Sequence, residues 1–154
     1  MKARDIMITD FSVVSTQTPL RDAVRMLKKN FGDESYMNAA PGLVVVNDKG
    51  ELAGILSPLT IIKALLDIAG ESGFPAETDI PYFEELCSKV KDRVVEDVMD
   101  WQPISVTEDA DALDVAELFV KSRFQRIPVV KDKKVLGIIY RSRLLFAMAS
   151  CLLQ

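Results

Sequence analysis

The sequence predicts a mixed α/β (α+β) chain made of two copies of one β-α-β unit. Three observations lead there. First, short motifs occur twice in the same order: Asp5-Ile6-Met7 and Asp97-Val98-Met99, Val45-Val46 and Val129-Val130, Gly54-Ile55-Leu56 and Gly137-Ile138-Ile139. Second, Val13, Leu20 and Ala23 recur as Val106, Leu113 and Ala116, so each copy passes from a β-branched run to a helical stripe at matching positions. Third, the offset falls only from 92 at the methionines to 83 at the glycines. One duplication with extra chain around Phe31 to Ala40 of the first copy accounts for that better than a solenoid, whose shorter units need three or more repeats.

The elements follow in order. A short strand near Val13-Val14, and another from Ile104 to Val106, opens each copy. Thr18 before Pro19 is a helix start, because proline suits the first helical position and threonine can accept a bond from a free amide; Asp111 has the same role in the second copy. Leu20, Ala23, Val24 and Leu27, then Leu113, Ala116, Phe119 and Val120, are spaced as core-facing stripes. Hairpins are expected next: Leu43 to Val46 with Leu52 to Leu56, and Ile127 to Val130 with Val135 to Ile139. Asn, Asp and Gly at the first tip supply the backbone angles such turns need. Each copy closes on a helix, Pro58 to Ala69 with Leu59, Ile62 and Leu66 on one side, and Arg141 to Leu152 with Leu144, Leu145 and Met148. Between them, Gly70 to Pro75 is a breaker-rich loop, and Asp79 to Val95 is a helix with Phe83, Leu86, Val90 and Val94 inward. The expected divisions are 1–69 for the first repeat, 70–95 for linker and helix, and 96–154 for the second repeat. Neither half closes a core alone at this size, so the two should pack face to face about a pseudo-twofold axis.

Composition narrows the chemistry. The chain has 154 residues, 49% hydrophobic and 27% charged, as in an ordinary globular protein. It has no histidine, which removes Ser-His-Asp and Cys-His catalysis and every histidine-containing zinc site. Cys87 and Cys151 lie far apart outside any CxxC, so free buried thiols in a reducing compartment are expected. Six scattered methionines are gap-fillers rather than a metal box, and no metal site is expected. Asp5 and Asp10 interrupt any secretory apolar run, and Leu144 to Leu153 is about half a membrane span, so the cytoplasm is the expected location and no membrane partner is expected. Net charge is −4 but uneven: 14 acidic and 3 basic residues from Glu71 to Glu117, then 8 basic residues against Asp132 alone from Phe119 to Arg143. Such a basic run is either an anion site or a solvated face. It lacks aromatic-basic interleaving, and nucleic-acid binding is not expected.

The order of these pieces, twice over, resembles the tandem CBS-domain (cystathionine β-synthase-type) pair, or Bateman module. Asp-Ile/Val-Met at each start, the strand-cap-helix, Ile127-Pro128-Val129-Val130 and the glycine-led run before each final helix carry the resemblance. It covers the chain except Phe31 to Ala40 and Gly70 to Lys91. The resemblance implies two β-α-β-β-α repeats packed sheet to sheet with pseudo-twofold symmetry, two clefts between them that bind adenine nucleotides or related ligands, frequent dimerisation, and no catalysis.

The family's ligand motif is Gly-h-h-Thr/Ser-x-x-Asp: hydroxyl and helix start meet phosphate, and the carboxylate takes the ribose hydroxyls. Here the first copy reads Gly54-Ile55-Leu56-Ser57-Pro58-Leu59-Thr60, keeping the hydroxyl and placing Thr60 at the Asp position. Serine before proline is equally an ordinary cap. The second copy reads Gly137-Ile138-Ile139-Tyr140-Arg141-Ser142-Arg143. Arg143 cannot accept from a ribose but forks onto phosphate, with Arg126 nearby and Tyr140 able to stack on a base; the alternative is rim packing for Tyr140 and solvated helix positions for Arg141 and Arg143. By family analogy Ile104, Val106 and Ile127 supply adenine contacts through their backbone, and Leu43 and Pro128 belong to the same clefts. Trp101 and Gln102 are assigned to packing.

The expected function is therefore a non-enzymatic regulatory module. It senses an adenine nucleotide (AMP, ADP or ATP) or another anionic metabolite and signals to a partner protein, most simply as a homodimer. The rival is an interaction or dimerisation scaffold whose clefts have lost their ligand, favoured by the missing ribose acceptors in both copies.

Overall fold

In a computed structural model of the chain, residues 1–32, 42–101 and 104–154 are described. The first copy supplies α1 (Ala3–Ile6), β1 (Val13–Ser15), α2 (Leu20–Gly32), β2 (Leu43–Val46), β3 (Leu52–Leu56) and α3 (Pro58–Glu71). The bridge contains α4 (Ile80–Lys91), capped by the Asp79 carboxylate on the Tyr82 amide at 2.8 Å. The second copy supplies β4 (Asp100–Trp101), α5 (Ala112–Ser122), β5 (Arg126–Lys131), β6 (Lys134–Tyr140) and α6 (Arg141–Leu152). Most of the extra chain expected around Phe31 to Ala40 lies outside the described residues.

The strands form a four-stranded sheet in the order β1-β2-β3-β4 and a two-stranded sheet, β5-β6. In the first, β1 runs parallel to β2 and β2 antiparallel to β3. The second copy repeats the parallel pairing through one residue rather than the strand expected from Ile104 to Val106. The Val106 amide donates to Pro128 O (3.0 Å) and its carbonyl accepts from the Val130 amide (2.8 Å) before the chain turns at Thr107. At the β5-β6 tip, Asp132 and Lys133 both have positive φ (50° and 67°), a turn made without Asn or Gly. It sets the Lys133 carbonyl to accept from the Leu52 amide (2.8 Å), joining the two hairpins.

Each copy's opening segment crosses into the other copy. Ala3 and Ile6 of α1 pack in a core with Val115, Phe119, Ile127, Val129 and Ile139. Val95, Val98 and Met99 pack in the other core with Leu20, Leu27, Leu43, Val45 and Leu56. The hydrogen bonds follow the same exchange: the Ala3 amide donates to Ala110 O (2.8 Å), the Leu20 amide to Arg93 O (2.8 Å). Ile8 exchanges two bonds with Ile138 (2.8 and 2.9 Å), as β4 pairs with β3 through Gly54–Trp101 and Ile55–Asp100. Gly54 and Gly137 consequently sit in matching surroundings, each under a methionine and a backbone carbonyl of the crossing segment. Val44, Ile55 and Ile138 form a third apolar cluster that joins the two sheets. This is the pseudo-twofold, sheet-to-sheet arrangement of two repeats.

Several expected faces are turned. Val24, Leu113 and Val120 are exposed, and Val115 and Phe119 carry the α5 seam. Leu59, Ile62 and Leu66 of α3 face outward while Ile68 and Ala69 are buried. In α6, Leu144 packs inward, but Leu145 and Met148 do not. α3 is apolar on several faces, so periodicity left its phase undetermined. Phe83 is also exposed, and Val94 lies in extended chain beyond the end of α4. The Thr18 hydroxyl sits 3.1 Å from the Ser15 hydroxyl instead of on a helix amide. Cys87 and Cys151 are both exposed, correcting the expectation of buried thiols: each occupies an outer helix position. Among the described residues no helix is long and apolar enough to cross a membrane.

Candidate functional site

The main cleft, about 880 Å³, opens between the copies. One side is the end of β3 and the first turns of α3. The other is the 97–101 segment, Ile104 and the 123–126 turn that leads from α5 into β5. Ser57, Thr60, Ile104 and Arg126 are therefore brought together although 69 residues separate the first from the last.

Ser57 is the N-cap of α3. Its Oγ accepts from the Thr60 amide at 3.3 Å. Thr60 Oγ1 accepts from the Ser57 amide at 3.0 Å and donates to the Ser57 carbonyl at 2.9 Å. The pair is a capping box, with consequences for chemistry. The Ser57 hydroxyl keeps its proton to donate into the cleft beside the positive end of α3. Thr60 has already committed its proton and taken an amide, which leaves it little to offer a ribose.

Arg126 opens β5 opposite Tyr140, the last residue of β6. Its guanidinium lies over Gly42, where an added methyl would come within 2.6 Å of Cζ, 2.7 Å of Nη1 and 2.8 Å of Nε. Gly42 stands three residues before Val45 as Arg126 stands three before Val129, so a single side chain occupies the space where the pseudo-twofold brings two equivalent positions together. Burial lowers the guanidinium pKa, with the Tyr140 phenol opposing and the Arg141 charge adding to the fall. An arginine so shifted still carries its charge. Burial raises the Tyr140 hydroxyl above its ordinary value, and Arg126 opposes this.

The remaining candidates are distributed differently. Ile127, Pro128 and Leu43 have fully buried side chains. Val106 commits amide and carbonyl to β5, and Ile104 is left to face the cleft. Tyr140 packs against the inter-sheet cluster of Val44, Ile55 and Ile138. Arg143 lines a separate small depression with Asp5, Ile6, Phe146 and Ala147, and the Arg141 amide donates to Gln125 O at 3.1 Å. On the pseudo-symmetric side, the positions matching Arg123 to Gln125 fall at 39–41, outside the described residues. The sequence reading missed Lys63, Asp67, Asp97, Asp100 and Arg123 as cleft residues, and it assigned Trp101 to packing. The tryptophan is 55% exposed on the cleft instead, while Gln102 lies outside the described residues.

The CBS domain family model matches the chain twice, over residues 3–67 and 95–150. The chain belongs to the CBS-domain family. Among curated relatives of this CBS pair, the chloroplastic CBS domain-containing protein CBSX2 of Arabidopsis thaliana is 30% identical over 146 residues, which cover 88% of this chain and 57% of that protein. The chain thus spans little more than half of the plant protein. The uncharacterized protein MJ1426 of Methanocaldococcus jannaschii is 29% identical over 96% of this chain and 91% of its own length. Among solved structures, that of CBSX2 in complex with AMP aligns with a TM-score of 0.72 and 25% identity, covering 97% of each chain.

Proposed function

We propose that this CBS pair is a regulatory module that binds AMP or a related adenine nucleotide in the cleft between its copies, and passes occupancy to a partner protein. The observation that carries the reading is the convergence of Ser57, at the head of α3, with the Arg126 guanidinium from the other copy on one cleft. A phosphate there meets a hydroxyl donor, a helix N-terminus and a fork of donors at once. The AMP complex of CBSX2, a related CBS pair, supports the same ligand class. Because each side of the cleft comes from a different copy, a ligand held by both favours one packing of the halves over others; it acts only through its difference in affinity between them. The proposal includes a cytoplasmic setting and a homodimer, the latter supported by the outward apolar faces of α3 and α6.

Calorimetry and thermal denaturation with AMP, ADP, ATP and S-adenosylmethionine test this. AMP at about 100 times its Kd should stabilise the fold by roughly 2.7 kcal/mol and raise Tm by about 5 to 10 °C. No heat and no shift with any of the four at millimolar concentration would favour the second reading, a scaffold without ligand. That reading has its own support in the saturated Thr60 hydroxyl.

Thr60→Asp separates the two further. An aspartate three residues into a helix can reach back to the cap amide, as Asp5 does to the Lys2 amide at 2.8 Å in α1. Its second oxygen then accepts from a ribose. Adenosine and AMP should both bind about tenfold tighter, as a hydrogen bond to a charged acceptor allows. Unchanged affinities would place the ribose away from α3.

A further inference from the structure

Arg123 combines two properties that the nucleotide reading does not use. It closes α5 with φ 59° and ψ 16°, its amide donating to Phe119 O at 3.0 Å. This is the left-handed position after a helix that glycine fills at least cost, and a side chain there is strained. The same residue lines the cleft at the start of the short turn that ends in Arg126. Among the described residues, no carboxylate lies within ion-pair distance of it, although Asp67, Asp97 and Asp100 line the cleft as well. A costly backbone position is thus occupied by a cation that no carboxylate among the described residues neutralises.

We propose that Arg123 is a second phosphate-binding residue, and that the ligand of this cleft is a nucleoside di- or triphosphate rather than a monophosphate. The inference rests on the nucleotide reading above and names its ligand class. Arg126 is half-buried in the cleft that the α3 cap also lines, and Arg123 is exposed three residues earlier, so positive charge runs from the cleft interior towards solvent. An α-phosphate at Ser57 and Arg126 leaves the next phosphates to Arg123. The three carboxylates repel a phosphate chain, which confines it to the cations of the cleft, of which Arg123 and Arg126 share one turn while Lys63 stands across on α3. The strain is retained because glycine at this position lacks the guanidinium.

The test measures AMP, ADP and ATP binding by calorimetry, with EDTA to remove divalent cations, and thermal denaturation without nucleotide, for wild type, Arg123→Gly and Arg123→Lys. Wild type should bind ATP about tenfold tighter than AMP, the scale of one added charge-assisted contact. Arg123→Gly should bring the ATP-to-AMP ratio close to one by lowering ATP affinity far more than AMP affinity, while raising the ligand-free Tm by about 2 to 4 °C through relief of the left-handed strain. Arg123→Lys should keep most of the ATP preference without the rise in Tm. A wild type that prefers AMP, a glycine variant that keeps the ATP preference, or one that loses AMP and ATP equally would each overturn the assignment to Arg123. Wild type that binds no adenine nucleotide would overturn the nucleotide reading itself, and this inference with it.

Discussion

Replacing Gly54 by alanine is expected to destabilise the fold by roughly 3 kcal/mol, the upper range for overpacking a close-packed interior. The new methyl would sit 2.5 Å from the Asp100 carbonyl oxygen, 2.7 Å from Met99 Sδ and 3.1 Å from its Cγ. The sulfur belongs to a buried but flexible side chain and can give way. The oxygen cannot, because Asp100 is held to β3 by the Gly54–Trp101 and Ile55–Asp100 pairing. Relief therefore means peeling off β4, and with it Val98 and Met99 from the first core. Gly137→Ala should cost less, since its nearest oxygen, on Ile8, is 2.9 Å away. Gly70→Ala is the control: it lies near the end of α3 with Phe74 Cζ at 3.6 Å, an ordinary contact, and should be neutral or stabilising by up to about 1 kcal/mol. Urea unfolding midpoints should rank Gly54→Ala lowest, Gly137→Ala next and Gly70→Ala at or above wild type. A Gly54 variant as stable as wild type would mean that the crossing segment does not lie on β3.

That crossing shows where sequence reasoning stops. The matched glycines and the Asp-Ile/Val-Met motifs are visible as a repeat, and alternation with turn residues gives both hairpins to within a residue or two. A repeat reveals what is copied but not which copy's core receives it. Nothing local to Met7 or Met99 distinguishes packing on its own half from packing on the other. Similarly, Leu59, Ile62 and Leu66 form a valid helical stripe, but α3 is also apolar at Ile61, Ala64, Leu65, Ile68 and Ala69, and only contact with α4 and the first core selects the buried side. At the site, Ser57 and Thr60 were legible because a motif names them, and Arg126 because it directly precedes the Ile127-Pro128 strand. Asp100, Trp101 and Arg123 were not, since their place in the cleft depends on β4 crossing to β3 and on a left-handed turn carried by arginine, where pattern rules look for glycine.

Arg126→Ala should weaken AMP binding by roughly 100-fold, the scale for removing one member of a desolvated charge pair, while leaving the protein folded. The harder test of the same geometry leaves the arginine in place. A methyl on Gly42 would meet the guanidinium at 2.6 to 2.8 Å, an overlap as severe on paper as that at Gly54. Here every close atom belongs to the far end of a flexible side chain, which can swing aside at small cost, while at Gly54 the nearest is backbone. Gly42→Ala should therefore lower stability by about 1 kcal/mol or less yet reduce AMP affinity about tenfold, because the guanidinium loses the seat that aims it at the phosphate. Two glycine-to-alanine substitutions then separate cleanly, one acting on the fold and the other on the ligand. A Gly42 variant that unfolds like Gly54→Ala would show that the guanidinium is locked in place by its surroundings. An Arg126→Ala protein that binds AMP like wild type would move the phosphate away from β5 altogether.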